Sequence, residues 1–166
     1  MSFVHLVLSV SLGRTINDLK KAESMSGHAD IGNAPAIFRE TVKRIPSLLA
    51  YFENCKQYLD TTTVMTVEEE LPPFTISFLE ICEHNASRVN EIFSAVVGSP
   101  NPAAQYRKVA RGARLEDLMK KILTNAIEMS NTTQISVISS VTEVGKLHRD
   151  LRSFMEMPVS LPEKEN

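Results

Sequence analysis

The sequence has little of the material that several protein classes require. It contains no tryptophan and only two cysteines, too few for a disulfide framework or a multi-cysteine zinc site. Glycine and proline together make up about 8% of the chain, against about 12% in an average protein. Because residues that favour tight turns are scarce, the composition predicts long helices rather than a many-stranded β fold.

Neither sign of charge is in clear excess. The 18 basic side chains are outnumbered by 20 acidic ones, which argues against a nucleic-acid-binding protein. Hydrophobic residues make up an ordinary 43% of the chain, so an intrinsically disordered protein is excluded. The length of 166 residues fits one domain, whose core buries about 70% of the surface that the unfolded chain exposes.

Long apolar runs are also missing. No window reaches the ~18 apolar residues that a membrane-spanning helix needs. The N-terminal apolar run has no basic residue before it and is interrupted by His5, unlike a signal peptide. Cys55 and Cys82 lie in helix-like apolar patterns, where we interpret them as free buried thiols. Together these features predict a cytoplasmic protein.

Apolar residues recur at steps of three and four along most of the chain, which predicts an all-α bundle of about five helices. The first runs from about residue 3 to residue 22, and its expected inward residues are Phe3, Leu6, Val7, Val10, Ile16 and Leu19. The second begins near Pro35, and its apolar stripe consists of Phe38, Val42, Ile45, Leu49, Phe52 and Leu59. Pro46 removes one backbone hydrogen bond in the middle of this helix, which predicts a kink.

Three further helices follow. The third begins near Pro73 and ends before the loop at Gly98, with an inner face of Phe78, Cys82, Ala86, Val89, Phe93 and Val96. The fourth spans about residues 103–129, with a bend or a split at Gly112, and its inner face comprises Tyr106, Val109, Leu115, Leu118, Met119, Ile122 and Ile127. The last ends at Met157, and its apolar side is Ile135, Ile138, Val141, Val144, Leu147, Leu151 and Phe154.

These helices are expected to share one core. Residues 1–157 are therefore predicted to form a single helical domain, and residues 158–166 a polar tail. The predicted centre of the core consists of Phe38, Ile45, Leu49, Phe52, Phe78, Val89, Phe93, Leu118 and Ile122.

No arrangement of residues points to catalysis. His5, His28, His84 and His148 each lack a carboxylate or cysteine partner at metal-ligand spacing. Phosphate-binding loops and nucleophile-elbow motifs are absent from the sequence. The acidic run at residues 68–70 points in several directions and is interpreted as a solvated stretch before a helix. We therefore predict a protein that is not an enzyme, with no catalytic residues, no cofactor and no metal.

Basic residues concentrate on the predicted fourth helix, at Arg107, Lys108, Arg111, Arg114, Lys120 and Lys121. At helical spacing, Arg107, Arg111 and Arg114 share one side. One interpretation is a surface for an acidic partner or for anionic lipid. The other is an ordinary solvated helix face, stabilised by local ion pairs.

Two segments resemble a known family. Residues 37–49 read I-F-R-E-T-V-K-R-I-P-S-L-L, and residues 106–123 read Y-R-K-V-A-R-G-A-R-L-E-D-L-M-K-K-I-L. They are similar to the SesA-type N-terminal domain that precedes NACHT NTPase modules in fungal NOD-like receptors. The residues that carry the resemblance are Phe38, Arg39, Glu40, Pro46, Cys82, Ala86, Val89, Ile92, Phe93, Tyr106, Glu116, Asp117, Leu118 and Met119. These positions are packing signatures and name no active site.

The resemblance implies a cytosolic effector or signalling domain linked to fungal programmed cell death and non-self recognition, including heterokaryon incompatibility. In such receptors a NACHT switch and a C-terminal repeat sensor control the helical module. Neither is present in these 166 residues, so the NACHT module is expected in cis or in trans. A protein partner or self-association is implied as well. The alternative is a helical adaptor without cell-death activity.

Related N-terminal bundles act on membranes through an apolar first helix. Here the first helix departs from that pattern, because His5, Ser9 and Ser11 interrupt its apolar run. An anionic membrane surface is therefore kept as an alternative to a protein partner, and no nucleic acid is expected. The candidate interaction surface consists of Phe3, Leu6, Val7, Val10, Arg107, Lys108, Arg111 and Arg114.

Overall fold

The structure, a computed structural model, describes residues 3–25, 29–61, 73–131 and 141–161. Within these ranges it contains six α-helices and no strand, which confirms the predicted all-α bundle. The helices are α1 (Phe3–Ser24), α2 (Ala36–Thr61), α3 (Pro73–Val96), α4 (Pro102–Val109), α5 (Leu115–Ser130) and α6 (Val141–Glu156). A short 3-10 helix, Ala29–Asn33, precedes α2.

Side-chain contacts fix the directions of the helices. α1 runs antiparallel to α2 and parallel to α3, and α6 runs antiparallel to α2. The contacts that establish these directions are Ser9–Asp60 and Lys20–Glu53 for α1 and α2, Ser11–Glu83 and Asp18–Asn90 for α1 and α3, and Asn54–Glu143 and Arg44–Phe154 for α2 and α6. α5 packs against α2, α3 and α6, whereas α1 packs mainly against α2 and α3.

The core forms where the apolar faces of the helices meet. The Phe38 ring lies 4.9 Å from the Phe93 ring and 5.2 Å from the Tyr106 ring, measured between centroids. Offset aromatic contacts at these distances add to the free energy gained from burial alone. The predicted core residues are buried, except that Phe78 is half-buried at the edge of the cluster.

α2 continues as a helix through Pro46, whose ring lies on the exposed side. Its predicted stripe is confirmed, since Phe38, Ile45 and Phe52 are fully buried and Val42 is half-buried. A helix tolerates an internal proline best on a solvent-facing side, because water can satisfy the carbonyl that loses its partner. The kink at Pro46 stays a prediction.

The inward face predicted for α1 is wrong in its first half. Leu6, Val7 and Val10 are 52%, 37% and 45% exposed. The buried face is shifted by two positions and consists of Leu8, Leu12, Ile16, Leu19 and Ala22. Apolar residues lie on both sides of the first three turns, so the periodicity does not select one face; contact with α2 and α3 does.

The predicted fourth helix is split, as Gly112 allowed, into α4 and α5. Residues 110–114 form the connection, so the prediction that Arg107, Arg111 and Arg114 share one helical side is wrong. The physical reason is a hydrogen bond at the junction: the Leu115 backbone N–H donates to the Tyr106 hydroxyl (3.0 Å). This bond satisfies a free N–H at the start of α5 that a continuous helix would have paired internally.

α6 begins at Val141, and this residue is 91% exposed, so its predicted inward position is wrong. The first residue of a helix has few neighbours on any side, and the apolar stripe of α6 becomes buried only at Leu147 and Phe154. Several further predictions lie outside the described residues: those for the side chains of Phe3 and His5, for His28, for the acidic run at 68–70, and for Ile135 and Ile138.

Candidate interaction surface

The N-terminal half of α1 buries two serines and leaves three of its apolar side chains in solvent. Ser9 and Ser11 are buried, whereas Leu6, Val7 and Val10 face solvent. Together with residues of α3, these three side chains border a groove of about 370 Å³ between α1 and α3. We call this the α1–α3 groove; its apolar lining is Leu6, Val7, Leu8, Val10, Ile76 and Leu79.

The buried serines are satisfied by acidic residues of neighbouring helices. Ser9 Oγ donates to Oδ1 of Asp60 on α2 (2.5 Å), and Ser11 Oγ donates to Oε1 of Glu83 on α3 (2.6 Å). The first of these bonds and the nearby Lys56 lower the pKa of Asp60, with Lys56 the larger cause. Bonds from hydroxyl groups to carboxylates are stronger than bonds between neutral groups. They hold α1 with its serines inward and with Leu6, Val7 and Val10 outward.

The polar continuation of the groove is acidic. Asp18, Glu80 and Glu83 lie along the line where α1 meets α3, and we call these three residues the acidic seam. Burial raises the pKa of Asp18; Lys21 and a hydrogen bond from Asn90 oppose this effect, and the negative charges of Glu83 and Glu91 add to it. The neighbouring carboxylates therefore make the seam less favourable for a further negative charge.

The basic residues predicted as a surface fall into two kinds. Arg107, Lys108 and Arg111 are exposed and form no ion pair within the part of the chain that the structure describes; we call them the basic corner. Arg114 is different, because its side chain is only 21% exposed. Its Nε donates to Oδ2 of Asp117 (3.0 Å), and its Nη1 donates to the carbonyl of Leu161 (3.0 Å).

The structure does not bring the two halves of the predicted surface into one patch. The α1–α3 groove lies at the start of α3, at Ile76 and Leu79. The end of α4 is held by Arg88, which donates to the carbonyl of Val109. Along the α3 axis Arg88 lies about 18 Å beyond Ile76 and about 8 Å beyond Glu83, and no residue of the basic corner lines the groove. The groove and the basic corner are therefore separate surfaces.

A buried network holds the segment that follows α6. Glu116 is buried, and its carboxylate accepts from the backbone N–H of Ser160 (2.7 Å) and from the Ser160 hydroxyl (2.6 Å). The Tyr106 hydroxyl lies 2.7 Å from Ser160 Oγ and completes the chain of hydrogen bonds. Burial raises the pKa of Tyr106 to about 12. Glu116 also lies in the first turn of α5, where the helix dipole favours a negative charge.

No sequence signal identified Ser160 or Leu161 as partners of this network. Both follow Pro158 in the stretch that the composition assigns to a polar tail, and Leu161 packs against the core. The resemblance did point to Tyr106, Glu116 and Asp117, and the structure gives these residues specific partners. The motif therefore describes a junction of α4, α5 and the segment after α6.

The other family positions also have structural partners. Arg39 reaches back to the carbonyls that precede α2, the nearest being that of Ala34 (3.3 Å). Glu40 pairs with Arg44 (2.9 Å) and Lys43 (3.1 Å), and hydrogen bonds from these two residues lower its pKa. Leu118 and Met119 are buried core residues on α5. These contacts stabilise the bundle and leave the positions without a free reactive group.

The chemistry available on the described residues is limited. Among them, no cluster of three metal-binding side chains is close enough to hold an ion. Cys55 and Cys82 are free and buried; burial raises the pKa of Cys55 to about 12 and also raises that of Cys82. Thiols with raised pKa values are poor nucleophiles at neutral pH. No helix in the described ranges is long and apolar enough to cross a membrane.

The fold is thus a helical bundle that carries an apolar groove and a basic corner on its surface. The family model of SesA, described as the N-terminal domain on NACHT_NTPase and P-loop NTPases, matches residues 13–129. This match covers more than half of the chain, and the protein belongs to the SesA family. The family is the N-terminal domain of such proteins and is distinct from their NTPase module. A search of curated proteins and a search of solved structures gave no significant match.

Proposed function

We propose that this chain is a non-enzymatic effector or signalling domain of a fungal NOD-like receptor, which acts in the cytoplasm by contact with protein. Its output is programmed cell death in non-self recognition, and the NACHT module that controls it lies in cis or in trans. Membership of the SesA family, whose domains precede NACHT NTPases, supports this assignment. The domain requires no cofactor or metal for this role, since contact alone transmits the signal.

One observation carries the proposal: α1 buries Ser9 and Ser11 while Leu6, Val7 and Val10 remain exposed. Fully covering one Val or Leu side chain is worth about 1.5–3 kcal/mol, so these three half-exposed side chains offer part of that free energy to a partner. Isolated apolar residues on a surface are ordinary, but a group that borders a groove is typical of an interaction site.

The charges beside this group favour a protein over an anionic membrane. The acidic seam adjoins the α1–α3 groove, so an anionic lipid surface that approached α1 would face carboxylates. Among the residues that line the groove and the seam, Arg14 is basic, and none belongs to the basic corner. A protein surface can present apolar and basic groups together. The apolar groups would fit the α1–α3 groove, and the basic groups would fit the acidic seam.

Expression in a fungal host tests the proposal. Wild type is expected to cause cell death, and a groove variant, Leu6→Ser/Val7→Ser/Val10→Ser, is expected to lose most of this activity. The matched control, Val141→Ser/Met155→Ser/Val159→Ser, changes exposed apolar residues away from the groove and should remain active. Deleting residues 1–22 is a weaker test, because it also removes Leu8 and Leu12 from the core. Unchanged far-UV circular dichroism shows that both variants fold.

The alternatives give different results in the same assay. If wild type does not kill, the effector function is wrong and a helical adaptor without cell-death activity is the better assignment. If the groove variant kills as well as wild type, the groove is not the working surface. Membrane action predicts binding to acidic vesicles that Arg107→Glu/Lys108→Glu/Arg111→Glu abolishes. Arg114 is kept in this variant because it belongs to the network around Glu116.

A further inference from the structure

We propose that the α1–α3 groove and its acidic seam bind the basic corner of a second copy of this chain, so that copies associate head to tail. This inference rests on the proposed function, since it names the protein that the exposed surface of α1 contacts. It gives a binding role to both surfaces, the α1–α3 groove with its seam and the basic corner.

Nearby basic side chains do not fully balance the negative charge of the acidic seam. Glu80 is exposed and has no ion-pair partner in the described part of the chain. Glu83 is paired only with Arg14, at 3.4 Å, and the Arg14 side chain is 68% exposed. Exposed pairs of this kind contribute little stability and exchange partners readily. A cation from outside can therefore compete for the seam.

The basic corner has the opposite imbalance. The sequence from residue 102 to residue 111 contains Arg107, Lys108 and Arg111 and no acidic residue. All three side chains are exposed, and α4 carries no carboxylate that could pair with them. Exposed charges of opposite sign on two surfaces of one chain favour contact between copies and steer their encounter.

The order of apolar and charged groups also corresponds. Along α3 the groove residue Ile76 precedes Glu83 by seven residues, about 10 Å of helix. On α4 the exposed Ala103 precedes Arg107, on the same side of the helix, by four residues, about 6 Å. α4 laid along the groove can therefore place its small apolar start near Ile76 while its basic end reaches Glu83.

Because the two surfaces differ, the contact is heterologous. Each copy offers one groove and one corner, so contacts of this kind build open chains or closed rings rather than a symmetric dimer. Association should be weak in the isolated domain and should fall as salt screens the exposed charges, whose interaction decays over about 8 Å at physiological ionic strength. Such a contact becomes effective when receptors bring several copies together.

Sedimentation of the full chain at low salt tests the contact. The average mass of wild type should rise with concentration, and the association constant should fall at least about tenfold between 0.05 M and 0.5 M salt, as screening of surface charge requires. A groove variant, Val10→Lys/Glu80→Lys, and a corner variant, Arg107→Glu/Lys108→Glu, should each stay monomeric. Their matched controls are Met155→Lys/Glu156→Lys and Lys146→Glu/Arg152→Glu on α6, which should associate like wild type.

Mixing the two defective variants is the decisive step. The intact corner of the groove variant fits the intact groove of the corner variant, so an equimolar mixture should form a dimer and nothing larger. A mixture that stays monomeric while wild type associates overturns the head-to-tail contact, and so does a wild type that stays monomeric at low salt. If controls and variants associate alike, the assigned surfaces are wrong.

The two proposals can fail separately. If wild type stays monomeric while Leu6→Ser/Val7→Ser/Val10→Ser loses cell death, the head-to-tail contact is wrong and the effector function is retained with a different protein partner. If the chain associates as described but Leu6→Ser/Val7→Ser/Val10→Ser still kills, the contact is retained and the proposed role of the groove in cell death is wrong.

Discussion

α5 and the first half of α1 use apolar residues in opposite ways. α5 buries nearly its whole apolar set, including Leu118, Met119, Ile122 and Leu123. α1 leaves Leu6, Val7 and Val10 in solvent and turns Ser9 and Ser11 inward. The difference follows from their neighbours, since α5 packs against α2, α3 and α6, whereas α1 has contacts mainly on two sides.

The comparison separates residues that hold the fold from residues that the fold leaves available. An apolar residue on α5 stabilises the bundle because three helices cover it. An apolar residue at the start of α1 contributes only if it faces α2 or α3, and the others remain for a partner. Substitutions that affect stability should therefore concentrate around α5, and those that affect binding on α1.

The largest loss is expected where the core is most enclosed. Phe93→Ala should lower the free energy of unfolding by about 3–5 kcal/mol, because the ring is fully buried and lies 4.9 Å from Phe38. Chemical denaturation measures this difference. A loss below about 1 kcal/mol would place Phe93 outside the core.

A pair of leucines two residues apart tests the orientation of α1 directly. Leu8→Ala should cost about 2–5 kcal/mol because Leu8 is buried. Leu6→Ala should change the free energy of unfolding by less than about 0.5 kcal/mol, since half of that side chain is already in water. Urea denaturation of both variants gives the contrast, and equal losses would mean that α1 is rotated from the orientation described.

The junction beside α5 should show a smaller effect. Glu116→Ala removes the acceptor of two hydrogen bonds from Ser160 and should cost about 1–3 kcal/mol. Glu128→Ala, an exposed position on the same helix, is the control. Hydrogen exchange adds a local readout, because the Ser160 amide should lose its protection in Glu116→Ala. Continued protection of that amide would show that another group holds the segment.

The smallest effect concerns charge in the acidic seam. The pKa of Asp18 is raised by burial and by Glu83 and Glu91, so Asp18 favours folding most below its unfolded pKa, and this contribution is lost as pH rises through the folded value. Glu83→Gln removes one of the negative charges and should lower the pKa of Asp18. Carboxyl NMR titration follows both proteins. An Asp18 pKa at or below 3.8 in wild type contradicts the description of the seam.

Much of the fold follows from the sequence, and the exceptions have a common cause. The stripes of α2 and α3 were predicted because each has a single apolar side, from Phe38 to Leu59 and from Cys82 to Val96. The faces of α1 could not be chosen because it has apolar residues on two sides. The orientation depends on Asp60 and Glu83, which are distant in sequence and accept from its serines.

The candidate surface was predictable in part. Exposure of Leu6, Val7 and Val10 agrees with a surface role, although the same residues were wrongly expected to face the core. The predicted basic cluster does not form one exposed surface, because Arg114 bonds to Asp117 and to the carbonyl of Leu161. The acidic seam was not predicted, since its residues come from α1 and α3 and meet only because these helices run parallel.

The rates at which the two buried thiols are modified report how the bundle opens. Cys55 lies on α2, and Cys82 lies on α3 with its S–H directed at the carbonyl of Ile122 (3.6 Å). A thiol reagent in solution can modify either one only while its surroundings are transiently open. If the two modification rates agree, the bundle opens as one cooperative unit. If Cys55 reacts sooner, α2 separates from the pair α3–α5 before the rest of the molecule unfolds.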